Sequence, residues 1–205
     1  MKHEWIRFPF HILFHPYDGY WDLKYENKGR LSVAMAILLL MVIATSLMKQ
    51  FAGFLVNFVD PRYLNTLDDL MFTVLPFFLF CVANWSVTTL MQGEGKFREI
   101  VISTAYALLP MILINIPMTF ISRLMTNEET AFYWMMNSFG AIWFLYLLFV
   151  GNMTIHQYTV TKAVFTLILT VIAMGIIVFL GALALTISMD MYWFFYDIYR
   201  ELIFR

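Results

Sequence analysis

The sequence predicts an all-α protein: a polytopic integral membrane bundle of five transmembrane helices, with an interfacial amphipathic helix at each terminus. Three observations carry that prediction. Of the 205 residues, 61% are hydrophobic and only 13% charged, where an average soluble domain has roughly 25% charged residues. Aromatic residues reach 19%, which suits the belts that form where lipid meets water. Five apolar stretches are each long enough to cross a hydrocarbon core of about 30 Å, which takes roughly 20 helical residues.

The first span runs from Leu31 to about Val59, with Lys49 and Gln50 near its outer end, and the second from Leu70 to Met91. The third, Ile100 to Ile121, contains Pro110 and Pro117. The fourth is Ala131 to about Met153, and the fifth, the least polar, is Ala163 to Met189. The second and third are separated only by a short polar link, but a merged pair is far too long to cross once. The organisation is therefore an interfacial segment (1–30), a five-span membrane domain (31–189) and an amphipathic tail (190–205).

Lysine and arginine placement sets orientation. Lys2, Arg7, Lys24, Lys28 and Arg30 precede the first span, Lys96 and Arg98 lie in the second-to-third link, and Lys162 lies in the fourth-to-fifth link, eight in all on one side. The other side holds Arg62, Arg123, Arg200, Arg205 and at its edge Lys49, five in all. The expected arrangement is a multi-pass cell-membrane protein with a cytoplasmic N-terminus and an external C-terminus. A net charge of −1 gives no reason to expect nucleic acid. Cys81 is the sole cysteine, so an intrachain disulfide is excluded. The opening stretch is broken by Arg7, Pro9 and His11 with no small-residue cleavage site after it, and does not read as a signal peptide.

"QGEGKF" (92–97) superficially suggests a nucleotide loop. A P-loop has four residues between its glycines, then Lys and Ser or Thr, after a strand. Here one residue separates Gly93 from Gly95, Phe97 follows Lys96, and helices flank the stretch. The reading adopted is a tight turn, with the glycines ending the second span and the basic pair holding the turn in the cytoplasm.

Around that turn the spans carry polar groups. Asn84 and Thr88 share a face, Trp85 and Thr89 form the next row, Ser103, Thr104 and Tyr106 open the third span, and Asn115 lies deeper. An amide in hydrocarbon needs a partner, and interhelical bonds of this kind contribute roughly 0.6–2 kcal/mol. Two readings stay open: these groups bind the second and third spans together, or they line a polar groove for a ligand or partner helix. Pro110 and Pro117, seven residues apart, are expected to bend the third span.

Two stretches together form a family pattern. "FHPYDGYWDLKYENKGRL" (14–31) leads into the first span, and "NWSVTTLMQGEGKFREIVISTAYALLPMIL" (84–113) joins the second and third. They resemble the Ypt-interacting-protein (YIP) domain family, especially its short bacterial members. The motif positions here are Trp85, Thr88, Thr89, Leu90, Gly93, Gly95, Ala105, Tyr106, Leu108 and Pro110. The resemblance implies five spans, the orientation deduced from charge, and a bacterial plasma membrane. Eukaryotic relatives are scaffolds in vesicle traffic that bind Rab GTPases through long N-terminal regions. Only residues 1–30 precede the first span here, so Rab binding is not expected. Association with transporter components is one role the resemblance implies.

Before the first span, Asp18 is expected as a helix N-cap and Gly29 as the terminator. Tyr17, Trp21 and Tyr25 recur at four-residue spacing. This helix is expected in the cytoplasmic interface, as a membrane-anchoring foot or as a docking surface for a partner. His3, His11 and His15 lack the further ligands a metal needs. The tail has Tyr192, Phe195, Tyr199 and Leu202 on one face and a Glu201–Arg205 pair, and is expected along the outer interface. In the fifth span Thr166, Thr170, Ala173, Ile177, Gly181, Ala184 and Ser188 form a stripe of mostly small residues. Such a stripe is expected to face the bundle or a partner membrane protein.

The spans hold no Asp, Glu or His near mid-membrane, and no GxSxG. Neither acid–base catalysis nor a coupled carrier's ion site has the groups it needs. "NWS" (84–86) and "NMT" (152–154) match glycosylation sequons, but one lies inside a span and the other on the cytoplasmic side. The expected function is a non-catalytic scaffold or accessory subunit, without cofactor, contacting partner membrane proteins or a second copy. The alternative is a small permease or lipid-handling protein that uses an Asn84–Asn115 groove.

Overall fold

Proline and cap chemistry divide this apolar chain into eight α-helices among the described residues: α1 (Glu4–Phe14), α2 (Pro16–Tyr25), α3 (Leu31–Phe51), α4 (Thr66–Leu90), α5 (Phe97–Ala107), α6 (Leu109–Ile121), α7 (Thr130–His156) and α8 (Val160–Ile203). The computed structural model describes residues 4–203 apart from 61 and 63. Lys2, His3 and Arg205, which enter the readings above, lie outside the described residues. Five helical segments are long and apolar enough to cross a membrane: α3, α4, α5 with α6, α7 and α8. The chain is an all-α, multi-pass membrane protein.

The third crossing is the most enclosed, with 67% of its apolar window buried, and α8 the least, with 17%. Every residue from Ile100 to Ala107 is buried. The crossing breaks at Leu108 because Pro110 has no N–H to give and its ring crowds the carbonyl of Tyr106. The Leu108 N–H turns to the Ala105 carbonyl instead, at 3.1 Å. Pro117 sits within α6 without ending it.

α4 begins at Thr66, four residues before the expected start, because Asn65 caps it through its side chain on the Leu67 N–H, 3.0 Å. The earlier start draws Asp69 into the first turn, where it is buried and ion-paired with Lys49 at the end of α3. α3 itself ends at Phe51, short of the expected Val59.

The N-terminal segment departs from an interfacial foot. α1 buries Phe8, Ile12 and Leu13, and α2 buries Tyr20 and Leu23, all in the core that α3, α5 and α7 share. Room exists because α3 starts deep. The Arg30 N–H donates to the Tyr106 hydroxyl at 3.2 Å, and Tyr106 lies about 14 Å along α5 from its start. α1 and α2 fill the wedge above α3. Asp18 is not the N-cap; His15 holds that position, Pro16 opens α2, and Asp18 stands in its first turn. Nor does Gly29 end the helix: α2 stops at Tyr25, and Asn27 takes the left-handed backbone (φ 51°).

The tail is not a separate helix along the interface. α8 runs unbroken for 44 residues, about 66 Å, because no glycine or proline follows Gly181 to stop it. Ala163, Thr166 and Thr170 are its buried residues, and every residue from Val178 to Ile203 is exposed. The small-residue stripe therefore faces the bundle only in its first half. A Cβ at Gly181 meets nothing within 4 Å.

Candidate functional site

The polar side chains of the spans converge at the end of the bundle where α4 and α7 finish and α5 and α8 begin. Asn84 and Thr88 are both 1% exposed. The Asn84 Nδ2 donates to Asn152 Oδ1 of α7 at 3.1 Å and to Thr170 Oγ1 of α8 at 3.2 Å. The Asn152 Nδ2 donates to Thr166 Oγ1 at 3.2 Å. Thr88 returns its hydroxyl to the Asn84 carbonyl, 2.7 Å. The network thus joins the second, fourth and fifth crossings, not the second and third as expected.

Asn115 takes no part in it. Asn84 lies about 9 Å from the end of α4, and Asn115 about 27 Å along the third crossing from the same end of the bundle. Asn115 is buried near the far end, where its carbonyl accepts from the Thr119 hydroxyl. An Asn84–Asn115 groove is absent among the described residues. The void beside Asn84 and Asn152 is about 10 Å³, at the limit for a single water and far below a ligand.

Above the network, the two turns lock together. Both end their helices with a glutamine in left-handed backbone, Gln92 (φ 57°) and Gln157 (φ 54°). Each is followed by an N–H that reaches back, Gly93 to the Thr88 carbonyl at 2.7 Å and Tyr158 to the Met153 carbonyl at 3.0 Å, the pattern that satisfies terminal carbonyls. The Tyr158 hydroxyl donates to the Thr88 and Met91 carbonyls, at 3.3 and 3.4 Å. The Gly95 N–H donates to Nδ1 of the buried His156 at 3.3 Å.

The glycines of this turn serve space rather than dihedral freedom, since no glycine has positive φ among the described residues. A Cβ on Gly93 would come within 2.5 Å of both His156 Nδ1 and the Tyr158 hydroxyl. One on Gly95 would stand 2.6 Å from His156 Cε1 and from Ile155. Lys24 of α2 closes the assembly: its ammonium contacts Glu94 Oε2 and the Ile155 carbonyl, both at 2.8 Å. That charge holds the Glu94 carboxyl below the usual glutamate range.

The remaining predicted residues are dispersed. Trp85 and Thr89 face outward, Trp85 edge-on to Phe97. Tyr106 is buried beneath α1, with Phe8 against its ring, and Pro110 is buried at the start of α6. Tyr17, Asp18 and Trp21 line a shallow groove of about 400 Å³ with Gln157 and Tyr158. Sequence reasoning missed Asn152, seen only as part of a sequon, together with the partnerships of Lys24, Glu94, His156 and Tyr158. Their signal was indirect: a lone amide and a lone imidazole at the end of an apolar span need partners. No group of three or more His, Cys, Asp or Glu placed for a metal occurs among the described residues.

A family model, the Yip1 domain, matches residues 10–183. The match takes in α2 to α7 whole, the end of α1 and the first half of α8, and with them the interlocked turns. No curated protein and no solved structure matches the chain.

Proposed function

The chain belongs to the Yip1 domain family, and we propose that it is a non-catalytic membrane scaffold or accessory subunit. It acts through helix–helix and interface contacts with partner membrane proteins, transporter components among them, or with a second copy. The observation that carries this reading is α8: from Val178 onward it buries nothing against its own bundle. At about 66 Å it also exceeds a hydrocarbon core of about 30 Å. Gly181, Ala184 and Ser188 give that free half a face that another helix can approach closely. Tyr17, Asp18 and Trp21 offer a second surface at the opposite end of the bundle. The basic residues around that end support its lying in the cytoplasm.

The polar groups that a permease would need are spent on holding helices together, which favours a contact role over a transport one. Affinity purification of the full chain in mild detergent tests the proposal. A stoichiometric membrane-protein partner, lost when Gly181 is changed to leucine, is the expected result. The purified chain moving solute or lipid by itself in liposomes would refute it and return the permease reading.

A further inference from the structure

A folded interior leaves few polar atoms without a partner, and each one that remains calls for an explanation. Among the described residues, two buried side-chain atoms make no hydrogen bond: His156 Nε2 and the Tyr20 hydroxyl. Both belong to the surroundings of one void, the space of about 10 Å³ beneath the interlocked turns. His156 lines it, together with Asn84, Asn152, Ser103, Thr104 and apolar side chains. Tyr20 stands beside Ser103: the two press on Gly151, where a Cβ would run into the Ser103 oxygen and the Tyr20 ring.

The His156 ring is fixed on its other sides. Its Nδ1 accepts the Gly95 N–H at 3.3 Å, so the neutral imidazole carries its proton on Nε2. Nδ1 and Cε1 face the turn, where they meet the Cβ positions of Gly93 and Gly95. Tyr158 stacks on the ring at 5.4 Å, with 21° between the planes. The Nε2–Cδ2 edge is left to the void. His156 is only 2% exposed, so bulk water does not reach this N–H, and a buried donor without an acceptor bears its full desolvation cost.

We propose that this void is the binding site of a single water molecule, which accepts the His156 Nε2–H and holds His156 in the tautomer that the glycine turn uses. A buried water takes up about one probe sphere and makes two to four hydrogen bonds, and the void supplies both. The Asn84 amide gives its N–H groups to Asn152 and Thr170, which leaves its Oδ1 as an acceptor for one water hydrogen. The Ser103 and Thr104 hydroxyls accept the other. The lining holds no carboxylate, ammonium or guanidinium, so nothing there favours an ion over a neutral occupant. Between membrane helices, ordered water is one of the few means of satisfying a polar group that protein atoms do not reach. The water joins α5 to α4 and α7, and it ties the asparagine network to the turn above it.

Nuclear magnetic resonance of the full chain in lipid nanodiscs, with nitrogen-15 in histidine, tests this. The chain has four histidines, and His3→Gln, His11→Gln and His15→Gln together leave His156 as the sole labelled ring. At neutral pH the expected spectrum shows the proton on Nε2 and magnetisation passing from that N–H to a long-lived water. A proton on Nδ1, or an Nε2–H with no water contact, overturns the proposal, and this reading needs no change in the lining. The double variant Ser103→Ala, Thr104→Val removes both hydroxyls without enlarging either side chain. It should abolish the water contact while the N–H signal persists. A contact that survives unaltered in the folded double variant places the water elsewhere and also overturns the proposal.

Discussion

Gly93 and Gly95 are chosen for size, and that makes a specific prediction. Gly95→Ala should cost about 1–3 kcal/mol, the range for overpacking a tight site, because His156 and Ile155 close in on both sides. Gly181→Ala, with nothing within 4 Å, should leave thermal unfolding in detergent unchanged; equal losses at the two positions would contradict the packing described. Lys49→Met strands the buried Asp69 carboxylate, but Lys49 itself is a third exposed, so the loss should fall below the about 3–5 kcal/mol that removing one partner of a fully buried pair costs. Denaturation of Lys49→Met beside the double variant Lys49→Met, Asp69→Leu should show the second change recovering much of that loss. Glu94 sets a direction with pH. Its carboxyl is held low by Lys24, so the tether acts fully above the ordinary glutamate range and is lost as pH falls through the lowered value. Glu94→Gln should flatten that acid-side dependence in a pH series of melting midpoints.

Among the elements, α1 with α2 and the outer half of α8 are opposites. The first pair contributes Phe8, Ile12, Leu13, Tyr20 and Leu23 to the shared core; the second contributes nothing to it. Deleting residues 1–25 should therefore cost the folded bundle, seen as loss of a monodisperse peak in size-exclusion chromatography. Ending the chain after Ile187 should leave that peak and its melting midpoint intact, and remove only partner binding. A silent N-terminal deletion would mean that the segment is merely an anchor. Apolar length alone made the five crossings readable. It left α1 and α2 misplaced, because an amphipathic helix has the same pattern whether its apolar face meets lipid or protein.

For the whole molecule, the distribution of lysine and arginine predicts which end meets the cytosol. Cysteines placed at Glu94 and Lys96 should react with an impermeant thiol reagent only from the cytosolic side in intact cells and inverted vesicles. The candidate site was half legible: Asn84 and Thr88 stood out because an amide and a hydroxyl in hydrocarbon demand partners, but sequence spacing is blind to helices distant in the chain. It paired Asn84 with Asn115 when Asn152, 68 positions away, was the neighbour. What the sequence determined by itself was the solvent and the number of crossings, since lipid enforces backbone pairing within each helix and makes hydrophobic length decisive. Only the tertiary structure decided which helices touch, that the N-terminal pair is core, and that the glycine turn closes over His156. Those outcomes depend on which side chains meet across helices, and no local pattern along one chain encodes that.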